Sequence, residues 1–140
     1  MNETNKPHIL IVDDCAVNQA VLAKFMEKLD VPYRCAFDGL EAVGLAKKNN
    51  FDIIFMDCHM PIYNGYTTTA EIRLGEYGQT TKIYALTSDA TQHNRNMCEL
   101  CGMDAFILKP VIFESVKAIV NGSFYDYFLS SPHHKSMVSD

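Results

Sequence analysis

No apolar run in this 140-residue chain lasts more than a few positions, so no segment is long enough to cross a bilayer as a helix. Basic charge is also scarce, with 12 Lys and Arg against 17 Asp and Glu and a formal net charge of -5. Direct nucleic-acid binding needs a basic face to neutralise phosphates and is not expected. The opening residues Met1 to Pro7 are polar and hold no apolar stretch before a cleavage site. They do not form a secretory signal, and a cytoplasmic protein is expected. The N-x-[ST] matches at Asn2-Glu3-Thr4 and Asn121-Gly122-Ser123 are then chance matches. Tryptophan is absent, and Gly and Pro number only 7 and 5. With 48% hydrophobic and 21% charged residues, disordered, collagenous and repeat classes are excluded.

What is present suits one domain with one hydrophobic core, long enough to fold without a disulfide or a structural metal. The five cysteines are odd in number and lie mostly in apolar segments, as buried, reduced thiols do. Cys98-Glu99-Leu100-Cys101 has CxxC spacing but falls toward the C-terminal end of a helix, where the dipole raises thiol pKa. No second ligand pair completes a zinc site. Cys15 and Cys58 each follow an aspartate of interest below, and packing is their expected role.

Five short apolar runs alternate with longer segments of helical character. The runs are 8–12, 33–37, 53–56, 83–86 and 105–108. The first, third and fourth are nearly unbroken and rich in β-branched residues, as strands buried on both faces are. Between the first two runs Val17, Val21, Phe25 and Leu29 recur every four residues, and Leu22 and Met26 widen the stripe. Pro32 follows as a stop signal. Leu40, Val43 and Ala46 form a second stripe. Ile112, Val116, Ile119 and Val120 form another, which Gly122 can end. The segment from Ala90 to Cys101 is mostly polar, and an exposed helix is expected there. This alternation predicts an α/β fold: a doubly wound, five-stranded parallel sheet of flavodoxin-like type, strand order 2-1-3-4-5, with helices on both faces. The domain is expected over residues 1–122. The tail, 123–140, opens with an aromatic patch from Phe124 to Phe128, expected to pack on the body, and turns polar and flexible from Ser130. His133-His134 in that tail is read as solvated.

In a 2-1-3-4-5 sheet the ligand site lies beyond the carboxyl ends of the strands, where the order reverses between strands one and three. Strand one ends in Asp13-Asp14 and strand three in Asp57. Three carboxylates distant in sequence thus meet at one crevice, where their mutual repulsion is relieved by a divalent cation. Oxygen-only ligation suits Mg2+. Thr87-Ser88 ends strand four and Lys109 ends strand five. A hydroxyl and an ammonium beside a metal make a place for an anion, and a phosphoryl group on an aspartate fits it.

At these residues the chain resembles the receiver domain of two-component response regulators, the CheY-like module. The resemblance rests on Ile9-Leu10-Ile11-Val12-Asp13-Asp14, on Met56-Asp57-Cys58-His59-Met60-Pro61 with Gly65, on Ala85-Leu86-Thr87-Ser88, and on the stretch from Gly102 to Pro110. It spans roughly residues 8 to 120. It implies a phosphorelay receiver in which Asp57 is the phosphoacceptor, taking its group from the phosphohistidine of a sensor histidine kinase or a histidine phosphotransfer domain. It implies Mg2+ held by Asp14, Asp57 and the backbone carbonyl of His59, with Asp13 acting through a metal-bound water. Thr87 and Lys109 would bind phosphoryl oxygens, the Lys109–Pro110 bond would be cis, and Phe106 would be the aromatic switch that swings inward as Thr87 moves. The resemblance also implies that His59 and Asp89 flank the path of the attacking water. A His59–Asp89 pair across the pocket mouth is expected to set the lifetime of the phosphoryl group. The output is expected on the face around strand five, toward a downstream protein. Val17-Asn18 and Cys58-His59-Met60-Pro61 are in the style of receivers attached to hybrid histidine kinases. Three positions depart from the usual pattern: Asn64 before Gly65, Ser88 after Thr87, and Phe106 in place of a tyrosine.

Such a protein catalyses only its own phosphorylation and dephosphorylation. A Mg2+-dependent phosphoaspartyl hydrolase of haloacid-dehalogenase type is the main alternative, but it needs an acid two residues after the nucleophile, where His59 stands. A docking pseudo-receiver should lack an acid, the hydroxyl or the lysine, and none is missing. A flavin protein needs a phosphate-cradling loop after strand one, where Asp13-Asp14 would repel phosphate.

Overall fold

The computed structural model describes residues 6–122. The Phe124–Phe128 patch, the His133-His134 pair and the rest of the tail lie outside the described residues. Five parallel strands form one sheet, β1 (Ile9–Val12), β2 (Tyr33–Ala36), β3 (Ile53–Asp57), β4 (Lys82–Thr87) and β5 (Ala105–Leu108). Their order is β2-β1-β3-β4-β5, the order expected. Every residue of β1 and β3 is buried, because each has a strand on either side and helices above and below. β2 is an edge, and its mixed burial explains why Tyr33-Arg34-Cys35-Ala36 is less apolar than the others.

Five helices alternate with the strands: α1 (Ala16–Leu29), α2 (Gly39–Lys48), α3 (Gly65–Leu74), α4 (Gln92–Cys101) and α5 (Phe113–Val120). α1 packs against α5, while α2, α3 and α4 adjoin in a row. The α1–α5 seam carries an edge-to-face pair, Phe25 and Phe113, with centroids 5.4 Å apart. The Lys28 ammonium lies 4.4 Å over the Phe113 ring, a cation–π contact.

The buried side of α1 differs from the stripe read in the sequence. Leu22, Met26 and the polar Gln19 face the core, whereas Val17 is 69% exposed and Val21 44%. A spacing of four drifts around a helix of 3.6 residues per turn, so the Val17–Val21 end of the row leaves the core. Leu40 and Ile112 are likewise exposed, and Ile112 is the N-cap of α5 rather than part of its apolar face. α3 carries no apolar stripe to announce it. Its buried residues include Tyr66, Thr68, Thr69 and Ile72, and the hydroxyls conceal the pattern.

The starts of β4 and β5 are clamped by Arg73 of α3. Its guanidinium donates to the carbonyls of Gly102 (2.9 Å), Gly78 (2.7 Å) and Thr81 (2.7 Å), and to Asp104 Oδ2 (2.9 Å). The same Asp104 oxygen accepts from the Ile83 amide at 2.8 Å. This fork of fixed donors suits four acceptors converging from three segments.

Candidate functional site

The acid pair sits where β1 runs out. The Asp13 amide donates to the Ala36 carbonyl at 3.1 Å, which holds the turn against the end of β2. Asp13 is buried and Asp14 exposed. Asp13 Oδ1 accepts from the Cys15 amide at 2.9 Å, while its buried Oδ2 has no hydrogen-bond partner. Asp57, the last residue of β3, is 2% exposed. One oxygen from each of Asp13, Asp14 and Asp57 lies within 4.8 Å of the others. The topology alone brings them together, since β1 neighbours both β2 and β3.

A cation reaches this cluster from β5. Lys109 Nζ stands 3.1 Å from Asp57 Oδ1, and the His59 amide donates to the same oxygen at 3.2 Å. The Lys109 amide donates to the Thr87 carbonyl at 2.8 Å, and the Lys109–Pro110 bond is cis. Burial pushes the Asp13 carboxyl above the usual carboxylate range, opposed by the Cys15 amide; the Asp57 charge adds to the rise, and Lys109 opposes it. A hard divalent cation fits this donor set: three carboxylates converge, and one of them keeps a buried oxygen, Asp13 Oδ2, without a hydrogen-bond partner.

The raised Asp13 carboxyl has a stability consequence. A folded state that holds a carboxyl's proton more tightly than the unfolded chain loses stability as pH rises through the folded pKa. Below the unfolded value near 3.8 no such cost exists. Asp13→Asn is therefore expected to stabilise the metal-free protein at pH 7, seen as a rise in Tm. The difference should vanish near pH 3, and Mg2+ should stabilise wild type more than the variant. Thermal melts at both pH values with and without Mg2+ check this; an unchanged or lower Tm at pH 7 without metal would contradict it.

Thr87 is buried at the end of β4, and its hydroxyl is already committed. It accepts from the Asp89 amide at 3.1 Å and donates to the Asp89 carbonyl at 3.2 Å. Phe106 is 2% exposed, so its ring lies inside while Thr87 is still bonded to its own loop. The expected His59–Asp89 pair is not formed. Asp89 Oδ1 accepts from the Thr91 amide at 3.0 Å, an Asx turn leading into α4. The His59 ring instead meets Tyr66 edge-on, with centroids 6.4 Å apart.

The loop after β3 is tightly built. The Tyr63 amide closes back on the Pro61 carbonyl at 2.6 Å, and Ile62 between them has φ 68°, a strained γ-turn for a β-branched residue. Asn64 caps α3 by accepting from the Thr67 amide at 2.9 Å, so the residue that departs from the family pattern fills the cap without adding charge. Gly65 donates to the Cys58 carbonyl at 3.1 Å. A Cβ at Gly65 would lie 2.2 Å from the Asp57 carbonyl oxygen. The motif glycine is thus a spacer that lets α3 start against the site.

The hydrogen bond between Cys58 and Cys98, then burial, pushes the Cys58 thiol far above the usual range, while the same bond holds Cys98 below it against its own burial; burial pushes Cys101 up to about 11. Cys58 and Cys98 are buried as expected, Cys35 and Cys101 are half-buried, and Cys15, expected to pack, is exposed at the start of α1. A cavity of about 380 Å³ opens beside the carboxylates, lined by Val21, Leu22, Leu86, Lys109, Pro110 and Val111 among others. Among the described residues, no helix is long and apolar enough to cross a membrane.

Residues 9–121 match the family model of the response regulator receiver domain. Hybrid signal transduction histidine kinase E of Dictyostelium discoideum is 37% identical over 117 residues, covering 81% of this chain and 7% of that protein. Sensor histidine kinase RcsC of Escherichia coli is 34% identical over 109 residues, covering 78% of this chain and 11% of its own. The chain thus spans about a tenth of the length of these relatives. Among solved structures, the receiver domain of a sensor histidine kinase from Pseudomonas aeruginosa, with a magnesium ion coordinated in its active-site cleft, aligns with TM-score 0.78 at 34% identity. That alignment covers 86% of this chain and 98% of the other. The receiver domain of Ssk1 from Saccharomyces cerevisiae, in complex with the histidine phosphotransfer protein Ypd1, aligns with TM-score 0.77 at 29% identity, covering 83% and 87%.

Proposed function

Because this chain belongs to the response-regulator receiver domain family of two-component phosphorelays, we propose that Asp57 accepts a phosphoryl group from a partner phosphohistidine and that the reaction requires Mg2+. The observation that carries this reading is the 3.1 Å contact of Lys109 with Asp57 inside a three-carboxylate cluster. In the transfer, a free oxygen of the Asp57 carboxylate attacks phosphorus, the N–P bond breaks, and the electron pair returns to the imidazole ring. Oδ1 of Asp57 is held by the His59 amide and Lys109, which fixes the plane of the nucleophile and leaves the other oxygen to form the bond. Lys109 lies where charge develops on the phosphoryl oxygens, and Thr87 is the hydroxyl within reach once it leaves Asp89. Asp14, Asp57 and the His59 carbonyl would hold the metal, with Asp13 behind a water; when bound it neutralises phosphoryl charge. On this reading the protein catalyses only its own phosphorylation and dephosphorylation.

Mass spectrometry after incubation with a small-molecule phosphodonor tests the reading. One phosphoryl group is expected with Mg2+ and none with chelator; incorporation unaffected by chelator would refute it.

The donor is a sensor histidine kinase or a histidine phosphotransfer domain. Exposed Val17, Val21 and Ile112 lie around the approach to the site, an apolar surface for such a partner. The output leaves through the β5 side. Thr87 pairs with Leu108 and Ala85 with Phe106 in the β4–β5 register, so release of the Thr87 hydroxyl acts on the β4–α4 loop and β5 together. Amide chemical shifts recorded with and without a phosphoryl mimic should change from Ala90 to Phe113. Changes confined to α1 would contradict this route.

A further inference from the structure

We propose that Gln19 is a positioning residue for the acid turn: its side-chain amide fixes the backbone that carries Asp13 and Asp14, and so sets the affinity of the site for Mg2+. This rests on the reading of the carboxylates as a Mg2+ site.

Gln19 lies in the second turn of α1 and is 3% exposed. Its Nε2 donates to three backbone carbonyls: Ile11 at 3.1 Å, Asp13 at 3.1 Å and Ala36 at 2.7 Å. These belong to β1, to the turn that follows it and to the last residue of β2. The Ala36 carbonyl also receives the Asp13 amide at 3.1 Å. One side-chain nitrogen therefore joins the ends of two strands to the first acid of the pair. Two N–H groups serving three acceptors are shared, which holds the turn from several directions at once.

A turn carrying two adjacent carboxylates, with Asp57 beside it, is pushed outward by its own charge. Lys109 and the Cys15 amide offset part of that push at the carboxylates themselves. The backbone resists it through two bonds: the Asp13 N–H donates to the Ala36 carbonyl, and the Gln19 amide holds the carbonyl of Asp13 itself. The Oε1 of Gln19 is buried without a hydrogen-bond partner. The side-chain hydrogen bonds of Gln19 are thus all made by its donors. A methionine of similar length would fill the space and leave three carbonyls without that donor. Partners that orient metal ligands govern affinity at a distance: their loss typically weakens binding about 10- to 100-fold.

The test is a Mg2+ titration of wild type, Gln19→Met and Met26→Ala by isothermal titration calorimetry, with amide hydrogen exchange measured without metal. Met26 is a fully buried core residue of the same helix, and its truncation reports the effect of loosening α1 alone. Gln19→Met should weaken Mg2+ binding about tenfold, and exchange at the Asp13 amide should rise relative to the centre of β3. Met26→Ala should lower Tm and leave the Mg2+ Kd within about twofold of wild type. The phosphorylation rate of Gln19→Met should recover at saturating Mg2+, since the nucleophile is untouched. A Gln19→Met Kd within twofold of wild type would overturn the proposal, as would equal weakening in Met26→Ala. If wild type itself binds no Mg2+, the reading of the carboxylates fails first, and faster Asp13 exchange in Gln19→Met without metal still reports whether the amide holds the turn.

Discussion

Asp57→Asn should reduce phosphoryl incorporation by more than about 100-fold, to background, while the protein stays folded. The amide has the shape of the carboxylate, so β3 and the contacts around its end persist. It lacks the charge that makes the oxygen a nucleophile, and its nitrogen is not a substitute. Lys109 loses the anion it now meets at 3.1 Å, and the cluster falls from three carboxylates to two, so Mg2+ affinity drops as well. Relief of repulsion with Asp13, whose carboxyl the Asp57 charge helps to raise, partly offsets the lost ion pair, and Tm should change little. Intact-mass measurement with phosphodonor and Mg2+, beside a thermal melt, gives both numbers. Incorporation at the wild-type rate would remove Asp57 from the acceptor role; unfolding of the variant would instead show that the Lys109 contact is structural.

The second large effect falls on a residue with no side chain. Gly65→Ala should slow phosphorylation by about 100-fold and destabilise the fold by about 1–3 kcal/mol. The added Cβ would stand 2.2 Å from the Asp57 carbonyl oxygen and 2.9 Å from Cys58 Cα. Both are backbone atoms, and neither can rotate away. Either α3 retreats or the end of β3 does, and the second displaces the acceptor by more than the positioning of a nucleophile tolerates. Gly44→Ala is the control: a Cβ there meets nothing within 4 Å, and in the interior of α2 the change should stabilise by about 0.5–1 kcal/mol. Urea unfolding and initial phosphorylation rates separate the two. A Gly65→Ala protein with the rate and stability of wild type would mean that α3 yields without cost.

These effects were unequally legible in the sequence. The strands and their order were readable because a strand buried on both faces has no polar side to confuse it, as in Ile9-Leu10-Ile11-Val12. The meeting of Asp13, Asp14 and Asp57 followed from that order. α3 was not readable, since Thr68 and Thr69 are buried and look polar on paper. The orientation of α1 was misread because Val17 and Val21 suggest a core face, while the residue that turns inward beside Leu22 is Gln19. No composition rule marks a buried glutamine whose partners are main-chain carbonyls. The present bonding of Thr87, Phe106, His59 and Asp89 depends on loop conformation, which side-chain identity alone does not encode. The family resemblance supplied the roles of those residues, not their current partners.

The Arg73 clamp has a consequence for how this domain tolerates change. It fastens the entrances of β4 and β5 through Thr81, Gly102 and Asp104, whereas Thr87 and Lys109 stand at the exits of the same two strands. A six-residue strand separates the two ends by roughly 17–20 Å, beyond the range of about 7–10 Å over which substitutions usually couple. Fastening and chemistry are therefore separate modules on a common rail. Sequence drift at the clamped end spends or restores thermal margin with little effect on the acceptor, and drift in the loops at the other end retunes the acceptor with little cost to that margin. A stabilised background engineered around Arg73 would leave room for site variants that the unmodified domain is too marginal to carry.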